Sequence, residues 1–97
     1  MFRHVVLFTW TDEATAAQKQ ALHDELPKMP PAIEAIRAYQ FGSDAGLNPA
    51  NFDYAVVADF DDQAGYLTYR DHPVHRELVD RYVTPIVASR AAVQFEY

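Results

Sequence analysis

Alternation opens the chain. In residues 2–10, Phe2, His4, Val6, Phe8 and Trp10 share one side of an extended backbone, and Arg3, Val5, Leu7 and Thr9 share the other. Apolar residues occupy the middle of both sides, so both faces of this strand are expected to be covered. Residues 14–26 change character. They are rich in Ala, Gln, Lys and Glu, which favour helix, and Leu22 and Leu26 lie at helical spacing. Thr11-Asp12 supplies a start signal, with Asp12 and Glu13 at the positive end of the dipole. Pro27 and Pro30-Pro31 are expected to close the segment, with a short helical turn around Ala32-Ile33. Alternation returns at 35–41, with Arg37, Tyr39 and Phe41 set against Ile36 and Ala38. It returns again at 52–60, with Tyr54, Val56, Ala58 and Phe60 set against Ala55 and Val57. The stretch between them holds Gly42, Gly46, Asn48 and Pro49 and reads as a loop. Asp61-Asp62 caps a second helix running to about Arg70. After a break, Leu78, Val79, Tyr82, Val83, Ile86 and Val87 recur at helical spacing, and Pro85 predicts a bend or stop before Ile86. Residues 91–97 form the last strand, with Val93, Phe95 and Tyr97 on one face.

The order strand, helix, strand, strand, helix, strand is the split βαβ, ferredoxin-like plan of an α+β domain with a four-stranded antiparallel sheet. Both helices then cover one face. The other face, with Val5, Leu7, Ala55 and Val57, stays bare in a monomer, and a symmetric homodimer is the simplest way to bury it. Ninety-seven residues make one domain, 1–97, with a small core. The 49% hydrophobic content argues against disorder. A net charge of −6, with scattered basic residues, removes any broad footprint for nucleic acid or an anionic membrane. No apolar run is long enough to span a bilayer, the first residues lack the regions of a signal peptide, and no cysteine is present. These features lead to the expectation of a cytoplasmic protein.

Chemistry concentrates in Tyr66–His75, which holds two of the four histidines and two of the six tyrosines around one proline. Pro73 suits a first helical position and not an interior one, so a helix should end near Arg70 and a new one start at Pro73. Such a joint can aim Tyr69, His72 and His75 at one point. His75 titrates near neutral pH and suits a general base, although a histidine at a helix start can equally serve the helix end. Tyr69 suits a donor to a developing enolate oxygen, against the alternative of a core tyrosine with a satisfied hydroxyl. His4, on an otherwise apolar strand face, needs a partner, and a structural bond to the joint competes there with a place in a cavity. His72 is expected at the cap before Pro73, from where it or His4 would orient the base. The His72-x-x-His75 spacing beside Asp71 is not the four-residue spacing of helix-borne metal pairs, so no metal is expected.

Arg3-His4-Val5-Val6-Leu7-Phe8, Phe60, Tyr69, His72-Pro73-Val74-His75 and Phe95-Glu96-Tyr97 together resemble the Dabb family, the stress-responsive dimeric α/β barrel proteins. The likeness spans almost the whole chain, and the His-Pro-x-His run is its most specific piece. The resemblance implies a ferredoxin-like subunit and a homodimer whose two sheets form a barrel. A plant polyketide cyclase of this family closes a linear polyketide by intramolecular aldol condensation without metal or organic cofactor. Its working tyrosine and histidine match Tyr69 and His75, and a histidine of its first strand matches His4. A pocket histidine on its third strand falls on Tyr54 here, and an aromatic of its first helix falls near His23, so the polar pattern of the cavity differs. The resemblance thus implies Tyr69, His75 and His4 as catalytic residues and Tyr54 and His23 in the ligand pocket; His72 joins the catalytic group from its place at the joint, and Val56 and Phe8 are expected to line the ligand with them. Two functions follow: a cofactor-free enzyme acting on an enolisable carbonyl compound, or a non-catalytic, stress-associated module that binds a small apolar ligand.

Overall fold

Hydrogen-bonded strand pairing and one apolar layer explain the architecture. The computed structural model describes residues 1–97. The elements run β1 (Phe2–Trp10), α1 (Ala16–Glu25), a 3₁₀ turn (Leu26–Lys28), α2 (Met29–Ala32), β2 (Ile36–Ser43) and β3 (Tyr54–Phe60). They continue with α3 (Gln63–Asp71), α4 (Pro73–Leu78) with a π-helical turn (Val79–Val83), and β4 (Val87–Glu96). The sheet order is β2-β3-β1-β4 and every neighbouring pair is antiparallel, which is the ferredoxin-like plan. The inward side of the sheet, including Val6, Phe8, Val56, Ala58 and Phe60, is buried with Leu22, Leu26 and Ile33 in one core. Gly65 allows α3 to lie close on the sheet: a Cβ there would stand 3.2 Å from the Phe60 Cβ.

Local chemistry moves several boundaries. Thr15, not Asp12, starts α1. Its hydroxyl accepts from the Gln18 N–H while the Gln18 side chain accepts from the Thr15 N–H, a capping box, and Asp12 and Glu13 lie in the preceding turn and loop. α1 ends at Glu25, just before Pro27 as expected, but the prolines do not stop the chain from remaining helical beyond it. Pro27 sits in the first turn of the 3₁₀ piece and Pro30 in the first turn of α2, where a missing N–H costs no intrahelical bond. In β2 the register shifts between Ile36 and Ala38, leaving Arg37 as the extra residue of a bulge. Ile36 and Tyr39 therefore pair with the inward-facing Phe60 and Ala58, against strict alternation. Arg37 turns outward to Asp61, with bonds of 3.0 and 2.9 Å. Ile86 and Val87 do not continue the last helix. Pro85 follows the π-helical turn, the Thr11 N–H donates to the Ile86 carbonyl at 2.8 Å, and Val87 pairs with Trp10. β4 thus starts four residues before the expected position 91.

The opposite face carries no helix. Val5, Leu7, Ala55 and Val57 are half-buried by their neighbours, while Val93, Phe95 and Tyr97 are 62%, 44% and 57% exposed. Its one buried charge is Asp59, which takes a bidentate pair from Arg3 at 2.7 and 2.8 Å. The Arg3 guanidinium also lies 4.8 Å from the centre of the Tyr97 ring. The Arg3 hydrogen bonds hold the Asp59 carboxyl below its usual range.

Candidate functional site

The α3–α4 joint is made by Pro73. A residue before proline is pushed out of the helical region, and His72 is extended, with φ −63° and ψ 134°. Asp62 caps the start of α3 by accepting from the Gly65 N–H at 2.9 Å. The His72 Nδ1 accepts from the Val74 N–H at 3.1 Å, which fixes its ring as the cap of α4. His72 is therefore spent on the helix end, does not line the cavity, and does not orient His75. The base is oriented instead by a carbonyl left free at the end of α3: the Arg70 oxygen stands 3.1 Å from the His75 Nδ1. A carbonyl can only accept, so neutral His75 carries its proton on Nδ1 and presents an unprotonated Nε2.

A cavity of about 400 Å³ lies between the helices and the sheet, and His4, Val56, Phe8, Tyr69 and His75 are on its wall. The centres of the His75 and Tyr69 rings are 4.1 Å apart, and the His4 ring is 6.4 Å from Tyr69 and 4.9 Å from Tyr66. His4 faces the helices with Val6 and Phe8, as the alternation predicts. The Gln94 amide donates to the His4 Nδ1 at 2.8 Å, leaving the His4 proton on Nε2. Burial, with a contribution from the Arg90 and His75 charges, lowers the His4 pKa to about 4. Burial also lowers the His75 pKa, opposed by the Arg70 carbonyl and aided by Arg76, Arg90 and His72. Both imidazoles are thereby held neutral at pH 7. The Tyr69 hydroxyl is 2.9 Å from that of Tyr39, and burial raises the pKa of both, that of Tyr39 to about 12. Tyr69 stays a proton donor throughout the neutral range, and when Tyr39 donates to it the Tyr69 proton is free for another acceptor.

Two of the expected ligand-lining residues lie elsewhere. Tyr54 is buried and its hydroxyl is 2.8 Å from the His23 Nδ1; exposed His23 stands edge-on to Phe41. Neither is on the wall of the cavity. Tyr54 stands opposite Phe8, which does line the cavity, but its hydroxyl is engaged by His23 of α1. Tyr39, Tyr66, Gln94 and Arg90 were missed as site residues. The place of Tyr39 on the helix side with Ile36 follows from the β2 bulge, and the partnership of Gln94 with His4 from the β1–β4 register. No group of three or more His, Cys, Asp or Glu side chains is gathered where it could hold a metal ion.

A four-stranded antiparallel sheet with helices on one face and a histidine–tyrosine cavity between the layers defines a ferredoxin-like α+β protein. The chain belongs to the stress responsive A/B barrel domain (Dabb) family, whose model matches residues 2–97. It is similar to a dimeric ferredoxin-like protein from Thermobifida fusca, with 43% identity and a TM-score of 0.91 over 99% of this chain and 90% of that one. A dimeric protein of ferredoxin-like fold from Bacteroides fragilis is 25% identical, with a TM-score of 0.80 over 99% and 95% of the two chains. A hydroxynitrile lyase from Passiflora edulis shares the fold at 16% identity, with a TM-score of 0.84 over 97% and 90%. No curated protein matches the chain. No helix is long and apolar enough to cross a membrane.

Proposed function

We propose that this chain is a single-domain, cytoplasmic homodimer that performs cofactor-free proton-transfer chemistry on an enolisable carbonyl compound. The observation that carries this reading is the His75 bond to the Arg70 carbonyl, which leaves Nε2 as an acceptor beside the Tyr69 ring in a cavity. In the reaction, Nε2 takes a proton from the carbon next to a carbonyl, and the C–H electron pair moves into the enolate. Tyr69 hydrogen-bonds the enolate oxygen, and the Nε2–H of His4 is a second neutral donor on the same wall. The enolate carbon then attacks a second carbonyl of the same molecule, and protonated His75 returns the proton to the new alkoxide. His75 acts as a base only in its neutral form, which predominates above its pKa. Because burial lowers that pKa, activity should rise with pH in a window below 6.5 and be level at neutrality. Hydroxynitrile lyase activity on a protein of the same fold supports a catalytic use of this framework. The subunits pair through the bare sheet face; dimeric relatives support a dimer, and the exposed apolar residues of that face support its place. The test is turnover of a linear polyketide thioester by wild type, His75→Ala and Tyr69→Phe, with folding checked first. Cyclised product from wild type and its loss in both variants is expected; equal turnover by all three would remove the pair from the mechanism.

One observation favours a second reading. The Tyr69 hydroxyl already has a partner in Tyr39, and most of the cavity wall is apolar. A non-catalytic module that binds a small apolar ligand would use the cavity without the proton transfer. Ligand binding with no turnover of any carbonyl compound is its signature.

A further inference from the structure

The arginines of this chain are unevenly used. Of its eight basic residues, Arg3, Lys28, Arg37, Arg70 and Arg81 are in ion pairs. Lys19, Arg76 and Arg90 are not, although the chain carries fourteen carboxylate side chains that could have met them; Lys19 lies on α1, away from the cavity. The two arginines line the cavity, Arg76 from α4 and Arg90 from β4. Arg90 lies opposite Phe8 on β1, so it stands on the helix-facing side of the sheet and not on the bare face. Both side chains are exposed, which puts them at the opening of a cavity whose interior is largely apolar. Arg70 also reaches the wall, but Asp71 neutralises it through bonds of 2.9 and 3.0 Å. Asp80 is the one carboxylate on the lining, and it pairs with none of the three. The opening therefore has an excess of positive charge in a chain of net charge −6.

We propose that the cavity takes an amphipathic organic acid, with its apolar body against Phe8 and Val56 and its carboxylate held at the opening by Arg90 and Arg76. The inference rests on the cavity being the ligand site, and it names the class of compound that fits there. Planar guanidinium groups bind carboxylates through paired N–H donors, and an apolar pocket supplies the rest of the contact. Fixing the acid end at the opening places the body of the ligand along the wall that holds His75 and Tyr69. Arg90 also acts on both imidazoles, since its charge lowers the pKa of His4 and of His75. A bound carboxylate offsets part of that charge and makes His75 a stronger base when the site is filled.

Calorimetry with 4-phenylbutyrate and 4-phenylbutyramide, which match in shape and differ in charge, tests the assignment. Wild type should bind the acid about ten-fold more tightly than the amide, the size expected of a charged hydrogen bond partly open to water. Arg90→Gln and Arg76→Gln should each reduce that preference, and the double variant should erase it by weakening the acid more than the amide. Raising the salt concentration should narrow the preference in wild type. Equal binding of acid and amide by wild type overturns the anion assignment and leaves the cavity reading in place. Binding of neither overturns both, and a preference for the acid that survives in the double variant places the carboxylate elsewhere.

Discussion

β1 serves two faces of one sheet, and the faces differ in how they treat polar groups. On the helix side His4, Val6 and Phe8 are buried, and the buried polar atoms have partners inside the same chain: Gln94 for His4, Arg70 for His75, Tyr39 for Tyr69. On the other side Val5 lies between Val57 and Val93 and Leu7 between Ala55 and Ala91, no helix covers them, and the one buried charge is Asp59, paired with Arg3 near one end. The helix side is thus a closed environment that tunes histidines and tyrosines. The bare side is an apolar surface of the kind that a second copy can bury. The same two-residue period produces both, which is why a one-residue slip of β1 would exchange core and interface together.

The largest effect should come from breaking the bare face. Val57→Asp puts an unpaired charge where the proposed dimer closes, at a cost of about 3–5 kcal/mol. Light scattering should show monomer or loss of fold; an intact dimer would mean that the bare face is not the interface. On the helix side, His75→Ala should lower turnover by about 10²–10⁴-fold without changing the subunit count. Tyr69→Phe keeps the ring and removes the donor, and should lower turnover by about 10²–10³-fold. A smaller effect separates the faces by pH. The folded His4 pKa of about 4 lies below its unfolded value, so the unfolded chain binds the proton first. Stability linked to His4 is whole above pH 6.5 and is lost as pH falls toward 4, by on the order of 3 kcal/mol. Denaturant unfolding at pH 7 and pH 4 should show a larger loss for wild type than for His4→Gln, which does not titrate. Equal losses would mean that His4 is not held neutral by burial.

Much of this contrast was legible in the sequence. The inward set of β1 followed from alternation, and the joint followed from one proline whose missing N–H dictates a helix start. The family resemblance pointed to Tyr69 and His75, which the structure sets side by side. Part of what escaped was set by long-range pairing. The Arg37 bulge depends on β2 meeting β3, and the early start of β4 depends on Trp10 and Thr11 extending the ladder. Thr15 outcompeted Asp12 as a cap because Gln18 lay three residues on to close the box. His72 caps α4 as its place before Pro73 predicts, and because capping uses its Nδ1 it does not also orient His75. Tyr54 and His23 were placed by analogy with a relative, and here they bond each other away from the cavity.

The central claim is that neutral His75, steered by the Arg70 carbonyl, removes a proton from carbon. Exchange of the carbon-bound protons of a simple ketone such as phenylacetone in D₂O, followed by NMR, isolates that step from any later bond formation. Wild type should speed the exchange above buffer, Tyr69→Phe should slow it, and His75→Ala should return it to the buffer rate. Undiminished exchange in His75→Ala, or none above buffer in wild type while the ketone is bound, would contradict the account.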